Sequence, residues 1–138
     1  MMNDCIFCKI IKGEIPSHKV YENDKVLAFL DIQPVNPGHT LVVPKKHSTN
    51  IFDVEEEDLF EMQKAIKIIA PKIMQAVTAQ GININSNNGK VSGQLVMHTH
   101  VHMIPRFGND GLKHWSHKKY KSGEAENILK DIKKLMKE

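Results

Sequence analysis

Residues 95–104 read Leu-Val-Met-His-Thr-His-Val-His-Met-Ile, and Pro105 follows them. This run predicts a strand that ends at the proline. Because side chains alternate between the two faces of a strand, His98, His100 and His102 are expected to project from one side of it. The stretch therefore predicts a row of imidazoles on one face of a sheet.

A row with this spacing cannot bind a single metal ion through all of its rings. Neighbouring positions on one face of a strand lie about 6.6 Å apart, whereas zinc holds nitrogen ligands at about 2.1 Å. An adjacent pair could bind zinc with ligands from elsewhere, which would leave the remaining ring for another role. Neutral imidazoles in a row also suit attack on a phosphorus centre, where one ring attacks and its neighbours bind oxygens or manage the proton of the leaving group.

The segments around this run predict the rest of an antiparallel sheet. Residues 82–86 alternate as Ile-Asn-Ile-Asn-Ser, and a polar loop over 87–94 joins them to the histidine run as a hairpin. Asn23 and Asp24 form a turn signal between β-forming residues. Further strands are predicted over 18–22, 25–31 and 39–43.

Apolar side chains at steps of three and four predict a long helix in the middle of the chain. Asp53 is expected to cap it, with Glu56 at the capping-box position. Gly81 is expected to end it, and Pro71 to kink it. A second, C-terminal helix is predicted from the weaker stripe Leu129, Ile132, Leu135 and Met136. The fold class is therefore α+β, an antiparallel sheet of about five strands with helices on one face.

Length and composition indicate one domain over residues 1–138. The chain is 41% hydrophobic and 25% charged, as is usual for a globular domain. Its apolar runs are far shorter than the roughly 20 residues that cross a bilayer, so we expect a cytoplasmic protein without a membrane partner. The net charge of +3 arises in residues 112–138, which hold eight Lys and four acidic residues. A basic excess confined to a tail favours a solvated helix over a nucleic-acid interface.

Cys5 and Cys8 form a Cys-x-x-Cys pair. Such a pair is typical of a metal half-site, a redox pair or two buried thiols. A thioredoxin-like redox motif follows a strand, and the start of this sequence leaves no room for one, so a redox role is disfavoured. A tetrahedral zinc site would need two more donors.

The run from His98 to Ile104 resembles the His-x-His-x-His-x-x signature of the histidine triad (HIT) superfamily. The likeness to its Hint-type branch covers residues 1–107 and leaves 108–138 as a variable basic tail. The matching segments are 5–16, 27–32, 37–47 and 93–94. The resemblance implies a homodimer with a purine nucleotide bound in a cleft on the sheet. It also implies hydrolysis of a phosphoramidate or similar bond, with release of a nucleoside monophosphate.

The resemblance further implies catalytic roles. His100 would be the nucleophile and would carry the nucleotidyl group as a covalent intermediate. His102 would contact the phosphate and assist the leaving group, and His39 would support the hydrogen bonds of both. No metal is required for this chemistry. A structural zinc ion would be held by Cys5, Cys8, His47 and His98.

Substrate-binding residues are also implied. An apolar slot with a ribose-binding carboxylate would comprise Phe29, Leu30, Asp31, Ile32, Ile6, Phe7 and Ile15. The loop that meets phosphate oxygens would comprise Asn87, Gly93, Gln94 and Leu95. Without the resemblance, Phe29 and Ile32 are more typical of core packing and Asp31 of a turn.

Leu95 departs from the family pattern, which commonly has Ser or Thr after Gly-Gln. The hydroxyl that would touch the phosphate or the leaving group is missing, although the backbone N–H can still serve. One alternative is a hydrolase of dinucleoside polyphosphates. Another is a nucleotide-binding adaptor with incidental hydrolysis, which the retained histidines disfavour because a binder needs no nucleophile. A zinc-binding module is disfavoured by the spacing of the row.

Overall fold

The computed structural model describes residues 4–137. Within this range the elements in chain order are α1 (Ile6–Lys12), β1 (Lys19–Glu22), β2 (Val26–Leu30), β3 (Thr40–Pro44), α2 (Glu56–Val77), β4 (Gly81–Asn85), a 3-10 turn (Lys90–Ser92), β5 (Val101–Arg106) and α3 (Glu124–Met136). No helix in the described range is both long and apolar enough to cross a membrane.

The strands form one antiparallel sheet in the order β1-β2-β3-β5-β4. This confirms the predicted α+β fold with a five-stranded antiparallel sheet. The β1–β2 hairpin turns where the sequence predicts, because Asn23 Oδ1 accepts hydrogen bonds from the backbone N–H groups of Lys25 and Val26, both at 2.9 Å. Asn side chains that substitute for a backbone acceptor are typical of such turns.

Helices cover both faces of the sheet, and the prediction that they lie on one face is wrong. The core on the α2 face comprises Val26, Ala28, Val42, Met62, Ala65, Ile66, Ile69, Ile73 and Met103. The core on the opposite face, hereafter the α1 face, comprises Cys5, Phe7, Cys8, Ile10, Leu27, Phe29, Leu41 and Val43. Alternation along β2 and β3 separates the two cores. Truncation of a buried side chain, as in Ile66→Ala, lowers the free energy of unfolding by about 2–5 kcal/mol. Because Ile66 lies on the α2 face, this substitution does not alter packing on the α1 face directly.

The start of α2 differs from the prediction. The helix begins at Glu56, with Glu55 before it as the cap. Asp53 does not cap it, because its carboxylate accepts hydrogen bonds from the backbone N–H groups of Thr49 and Asn50. These bonds close the turn that precedes the helix.

The end of α2 also differs. The helix stops at Val77 because Thr78 adopts the left-handed conformation, with φ 57°. Gly81, the predicted end, instead begins β4. The helix continues through Pro71.

β5 is shorter at its start than predicted and longer at its end. It begins at Val101, so His98 and His100 lie in the segment before the strand, and it runs through Pro105 to Arg106. The carbonyl of Pro105 accepts a hydrogen bond from Asn36 Nδ2 at 2.8 Å, on the side where β3 no longer pairs with β5. The missing N–H of the proline therefore costs the sheet no hydrogen bond.

Candidate active site and metal cluster

Two groups of potential ligands lie close together on the α1 face. The Cys/His cluster comprises Cys5, Cys8, His47 and His98, and the second group comprises Asp31, His39 and His102. His100 connects them. Its ring centroid lies 5.0 Å from that of His102, and its Nδ1 lies 2.7 Å from the carbonyl oxygen of His98.

The His39–His102 pair has hydrogen bonds that fix its proton positions. The backbone N–H of Val35 donates to His39 Nδ1 at 3.0 Å, so a neutral His39 carries its proton on Nε2. That nitrogen lies 2.9 Å from His102 Nδ1 and donates to it. His102 must then carry its own proton on Nε2, and it presents an N–H donor on its outer nitrogen.

His100 presents the opposite group. The carbonyl of His98 can only accept a hydrogen bond, so the proton of His100 lies on Nδ1 and its lone pair on Nε2. The ring of Phe7 packs edge-on against it, with 5.1 Å between centroids. A lone pair on one ring beside an N–H donor on the next suits nucleophilic attack coupled to protonation of a leaving group.

Burial keeps these rings in the neutral form that the hydrogen bonds require. It lowers the pKa of His100, against the opposing influence of the His98 carbonyl and the charge of Asp31. Burial, reinforced by the neighbouring His100 and His39, lowers the pKa of His102 to about 4. Burial also lowers the pKa of His39, which Asp31 partly offsets.

Asp31 lies directly after β2 and beside the histidine pair. Its Oδ1 accepts the backbone N–H of Gln33 at 2.9 Å, as in a turn, and its Oδ2 lies 3.7 Å from His39 Nε2. The side chain is 21% exposed. The carboxylate therefore has a turn contact, a histidine neighbour and an open side toward solvent.

The aromatic part of the predicted slot is assembled on the α1 face. Phe7 and Phe29 are both buried, and their rings meet edge to face with 5.6 Å between centroids. Ile15 packs against the same core. These residues form the wall behind His100.

The other apolar slot residues lie elsewhere. Leu30 follows Phe29 on β2 and so points to the α2 face, where it lines a groove with Ile69 and Ile73. The structure does not bring Leu30 together with the histidines. Ile6 and Ile32 lie at the surface, and Ile32 is 84% exposed.

Gln94 holds the loop that precedes the histidine triad. Its Oε1 accepts hydrogen bonds from the Gly89 N–H (2.9 Å) and Asn50 Nδ2 (3.2 Å). Its Nε2 donates to the carbonyls of Thr49 (2.7 Å) and Val96 (3.0 Å). Because these bonds use the whole amide, Gln94 shapes the loop and its side chain has no capacity left for phosphate.

The neighbouring loop residues lie nearer the surface. Gly93 has a φ of 104°, and a Cβ there would lie 3.4 Å from Asn87 Nδ2. Glycine is therefore favoured at this position. The side chain of Leu95 is 89% exposed.

The Cys/His cluster has the spacing of a tetrahedral zinc site. His98 Nδ1 lies 3.4 Å from Cys5 Sγ, 3.6 Å from Cys8 Sγ and 3.1 Å from His47 Nδ1. The distance from Cys8 Sγ to His47 Nδ1 is 3.4 Å. Zinc bonds of about 2.3 Å to sulfur and 2.1 Å to nitrogen separate tetrahedral ligand atoms by about 3.4–3.8 Å. The three distances that involve sulfur fall within this range, and the distance of 3.1 Å between His47 and His98 is slightly shorter. The donor set and its spacing therefore match a zinc site closely.

The proton positions in this cluster also fit a metal. His98 Nε2 donates to the carbonyl of Pro44 at 2.9 Å, which leaves the lone pair on Nδ1, facing the thiols. Burial lowers the pKa of His98 to about 4, so the ring is neutral. Cys5 caps α1, and its Sγ accepts the backbone N–H of Cys8 at 3.4 Å.

The second group of potential ligands does not fit a metal. His39 Nδ1 already accepts the Val35 N–H, and a cation at Nε2 would displace the only ring proton. His39 would then have to become an anion. The hydrogen bonds therefore favour the Cys/His cluster over the group at Asp31.

Several groups that complete the site were not identified from the sequence. The N–H of Val35 and the carbonyls of Pro44 and His98 set the ring tautomers, and backbone groups leave no signal in a sequence. Ser48 and Thr99 also join the segments that carry the cluster, through a hydroxyl contact of 2.6 Å and a backbone hydrogen bond. The only signal for that contact in the sequence is the presence of polar residues directly after His47 and His98.

Comparisons with known proteins identify the family of this chain. A model of the HIT domain family matches residues 12–109. Protein hit of Bacillus subtilis is 46% identical and covers 96% of this chain and 94% of its own. Two relatives bear enzyme names. The adenylylsulfatase HINT3 of Arabidopsis thaliana is 39% identical and covers 81% of this chain and 57% of its own. The adenosine 5'-monophosphoramidase HNT1 of Candida albicans is 40% identical and covers 74% of this chain and 70% of its own.

Solved structures are similar over nearly the whole chain. A Streptococcus mutans protein, 41% identical, superposes with a TM-score of 0.93 over 99% of this chain and 87% of its own. A histidine triad nucleotide-binding protein of Candida albicans gives 0.85 at 33% identity, over 96% and 97%. A zinc-bound histidine triad family protein of Mycobacterium smegmatis gives 0.76 at 32% identity, over 96% and 97%. The predicted family is confirmed, and the chain belongs to the HIT domain family.

Proposed function

We propose that this chain is a nucleotidyl hydrolase that cleaves purine nucleoside phosphoramidates through a covalent intermediate on His100. The observation that carries the proposal is the pair of opposite tautomers, a lone pair on His100 Nε2 beside an N–H on His102 Nε2. The names of two relatives, an adenylylsulfatase and an adenosine 5'-monophosphoramidase, support an adenylyl substrate. A third is named as nucleotide-binding.

In the first step His100 Nε2 attacks phosphorus, and the bond from phosphorus to the amine nitrogen breaks. The departing nitrogen takes the Nε2 proton of His102, whose Nδ1 keeps its hydrogen bond from His39. Solvent supplies a replacement proton to His102 Nε2, so that the ring stays neutral. His100 gains positive charge as its ring is phosphorylated. With 5.0 Å between the two ring centroids, this charge opposes a second positive charge on His102.

In the second step water attacks phosphorus, and the bond to His100 Nε2 breaks. The water gives its proton to solvent, His100 Nε2 regains its lone pair, and the nucleoside monophosphate leaves. The carbonyl of His98 holds the Nδ1 proton of His100 throughout. The reaction thus uses one nucleophile, His100, and one proton donor, His102.

The leaving group separates the proposed reaction from its alternatives. The full chain is incubated separately with adenosine phosphoramidate, a diadenosine polyphosphate and adenylyl sulfate, and AMP is measured by chromatography. We expect the phosphoramidate to give the highest kcat/KM. Fastest release from the polyphosphate would identify the alternative hydrolase. Nucleotide binding without AMP release from any substrate would identify an adaptor protein.

We also propose that the Cys/His cluster binds one structural zinc ion, supported by its donor set, spacing and proton positions. A bound zinc ion would neutralise the thiolates and join the start of α1 to the segments around His47 and His98.

A homodimer is proposed from the family resemblance. It is supported by α3, in which no residue is buried and Leu129, Ile132 and Leu135 are exposed, and sedimentation analysis tests it.

His102→Ala is expected to reduce kcat by about 10²–10⁴-fold for a poor leaving group, because it removes the proton donor. For a good leaving group, such as a nitrophenolate, the loss should be much smaller. Steady-state kinetics across a series of leaving-group pKa values measures the difference. Equal losses across the series would exclude proton donation by His102.

Asp31→Ala is expected to weaken ribonucleotide binding more than 2′-deoxynucleotide binding. A carboxylate bound to both ribose hydroxyls contributes about 1.5–3 kcal/mol per charged hydrogen bond, and the deoxy ligand has already lost one of them. Calorimetry with AMP and 2′-deoxy-AMP gives both dissociation constants, and Asp31→Asn serves as the matched control. An equal loss of affinity for both nucleotides would show that Asp31 does not bind the ribose and acts through its contact with His39 instead.

The reaction is expected to remain fast in mild acid. An ordinary histidine is half protonated near pH 6.5, but burial lowers the pKa of both His100 and His102, the latter to about 4. The fall in the rate of adduct formation on acidification should therefore be centred below about pH 6.5. Rapid-quench measurements give this profile, and a decline centred near 6.5 would show that the nucleophile titrates as a free imidazole.

A further inference from the structure

His98 contributes to the Cys/His cluster and to the catalytic row at the same time. Its Nδ1 lies among the potential metal ligands, and its Nε2 donates to the Pro44 carbonyl. Its own carbonyl accepts the Nδ1 proton of His100 at 2.7 Å. The peptide of one residue therefore links the ligand cluster to the ring that carries the attacking nitrogen.

The segment around this peptide depends on side chains for its position, because β5 begins only at Val101. The segment is anchored at Val96, whose carbonyl accepts from Gln94 Nε2. It is anchored again at Thr99, through the backbone and hydroxyl of Ser48. Between these anchors, the His98 ring fixes the orientation of the His98 peptide.

Helix α1 provides a second link between the cluster and the nucleophile. Its first turn carries both thiols, and Phe7 lies between them in sequence. The Phe7 ring packs edge-on against His98 and His100, with 5.9 Å and 5.1 Å between centroids. Ligands that fix the start of α1 therefore also fix the wall behind His100.

Bonds to zinc would hold the His98 ring and the start of α1 far more firmly than the hydrogen bonds that form among the same side chains when no metal is bound. His47 Nδ1 and His98 Nδ1 lie 3.1 Å apart, so without a cation one of them must carry a proton between the rings. The thiols could offer His98 only weak S–H donors. The His98 ring would then be held loosely on the side that faces the cluster.

We propose that the Cys/His cluster, when it holds zinc, positions His100 for attack through the His98 peptide and Phe7. The proposal rests on the proposed function. The His39–His102 pair is anchored separately, by the Val35 N–H and by the pairing of β3 with β5. Loss of zinc should therefore slow attack more than it weakens nucleotide binding, which depends on Phe7 only in part. Because a displacement of about 1 Å can cost about 100-fold in rate, we expect at least about a 10-fold loss.

The test compares the full chain as zinc-loaded, chelator-stripped and reloaded protein, at a temperature where circular dichroism shows all samples folded. Rapid-quench mass spectrometry gives the rate of adduct formation with adenosine phosphoramidate, and calorimetry gives the dissociation constant of AMP. Nitrogen-15 NMR of the histidine rings gives a readout independent of turnover. We expect slower attack, a smaller change in AMP binding and altered His100 signals in the stripped protein, with recovery on reloading and unaltered His39 signals.

Two variants complete the design. His47→Gln removes a ligand that touches neither His100 nor Phe7 and should reproduce the stripped state, which covers the case in which chelation unfolds the chain. Ile66→Ala, on the α2 face, is the control for lost stability and should retain its rate of attack when zinc-loaded. Equal attack rates with and without zinc, or an equal loss in Ile66→Ala, would overturn the proposal.

The NMR measurement separates this proposal from the proposed function. If the zinc-loaded wild type forms no adduct, the proposed function fails. If the His100 signals still change on zinc removal, the cluster positions the His100 ring even though the proposed reaction does not occur. Signals of His100 that do not respond to zinc would overturn the positioning proposal, whatever the activity.

Discussion

His100→Ala is expected to abolish the covalent intermediate and to reduce kcat by about 10⁴-fold or more. The variant lacks the lone pair that attacks phosphorus, and no other ring on the α1 face presents an unprotonated nitrogen in the same place. Phe7, His98 and His102 remain, so the fold and AMP binding should be largely retained. Steady-state kinetics with adenosine phosphoramidate, together with AMP calorimetry, measures both effects.

His117→Ala is the matched control, because it removes an exposed imidazole from the C-terminal tail. It should leave kcat unchanged. Loss of a nucleophile should leave far less than one hundredth of the wild-type kcat. If His100→Ala kept more than about that fraction, the attacking group would have to be another side chain.

Removal of zinc is expected to cause the largest loss of stability. The purified chain should contain close to one zinc ion, and a strong chelator should lower its Tm. Zinc at about 1,000 times its dissociation constant stabilises the folded state by about 4 kcal/mol. For a domain of this size, that loss corresponds to a Tm decrease on the order of 10 °C. Elemental analysis and calorimetric melting give the two numbers.

Ligand variants distinguish a metal site from packed thiols. Cys8→Ser and His98→Ala should both lose zinc and show a similarly reduced Tm, whereas His100→Ala should retain the metal. The full loss of catalysis should be seen only in His100→Ala. A metal-free wild type, with His98→Ala as stable as the wild type, would show that Cys5 and Cys8 are ordinary core residues.

The sequence predicts the sheet better than it predicts the helices. Alternation, apolar runs and turn residues identify all five strands, since β2 and β3 are apolar and buried on both faces and Asn23 marks the first hairpin. Helix α1 was not predicted, because seven residues are too few for a clear helical period. Asp53 looked like a helix cap because a short acidic side chain serves equally well in the preceding turn.

The candidate site is likewise predicted only in part from the sequence. The family resemblance predicts which histidines lie together, and the structure places His39 beside His102 and His98 beside the thiols. The sequence cannot predict which nitrogen of each ring carries a proton, because backbone groups of Val35, Pro44 and His98 decide it. Leu30 was grouped with Phe29 although alternation along β2 places them on opposite faces.

The most direct test of the proposed chemistry is mass spectrometry of the full chain after brief exposure to adenosine phosphoramidate. Our account predicts a mass increase corresponding to one adenylyl group, bound to His100 by peptide mapping, that disappears as AMP is released. AMP released at the full rate with no adduct at any time, or an adduct on a different residue, would contradict it.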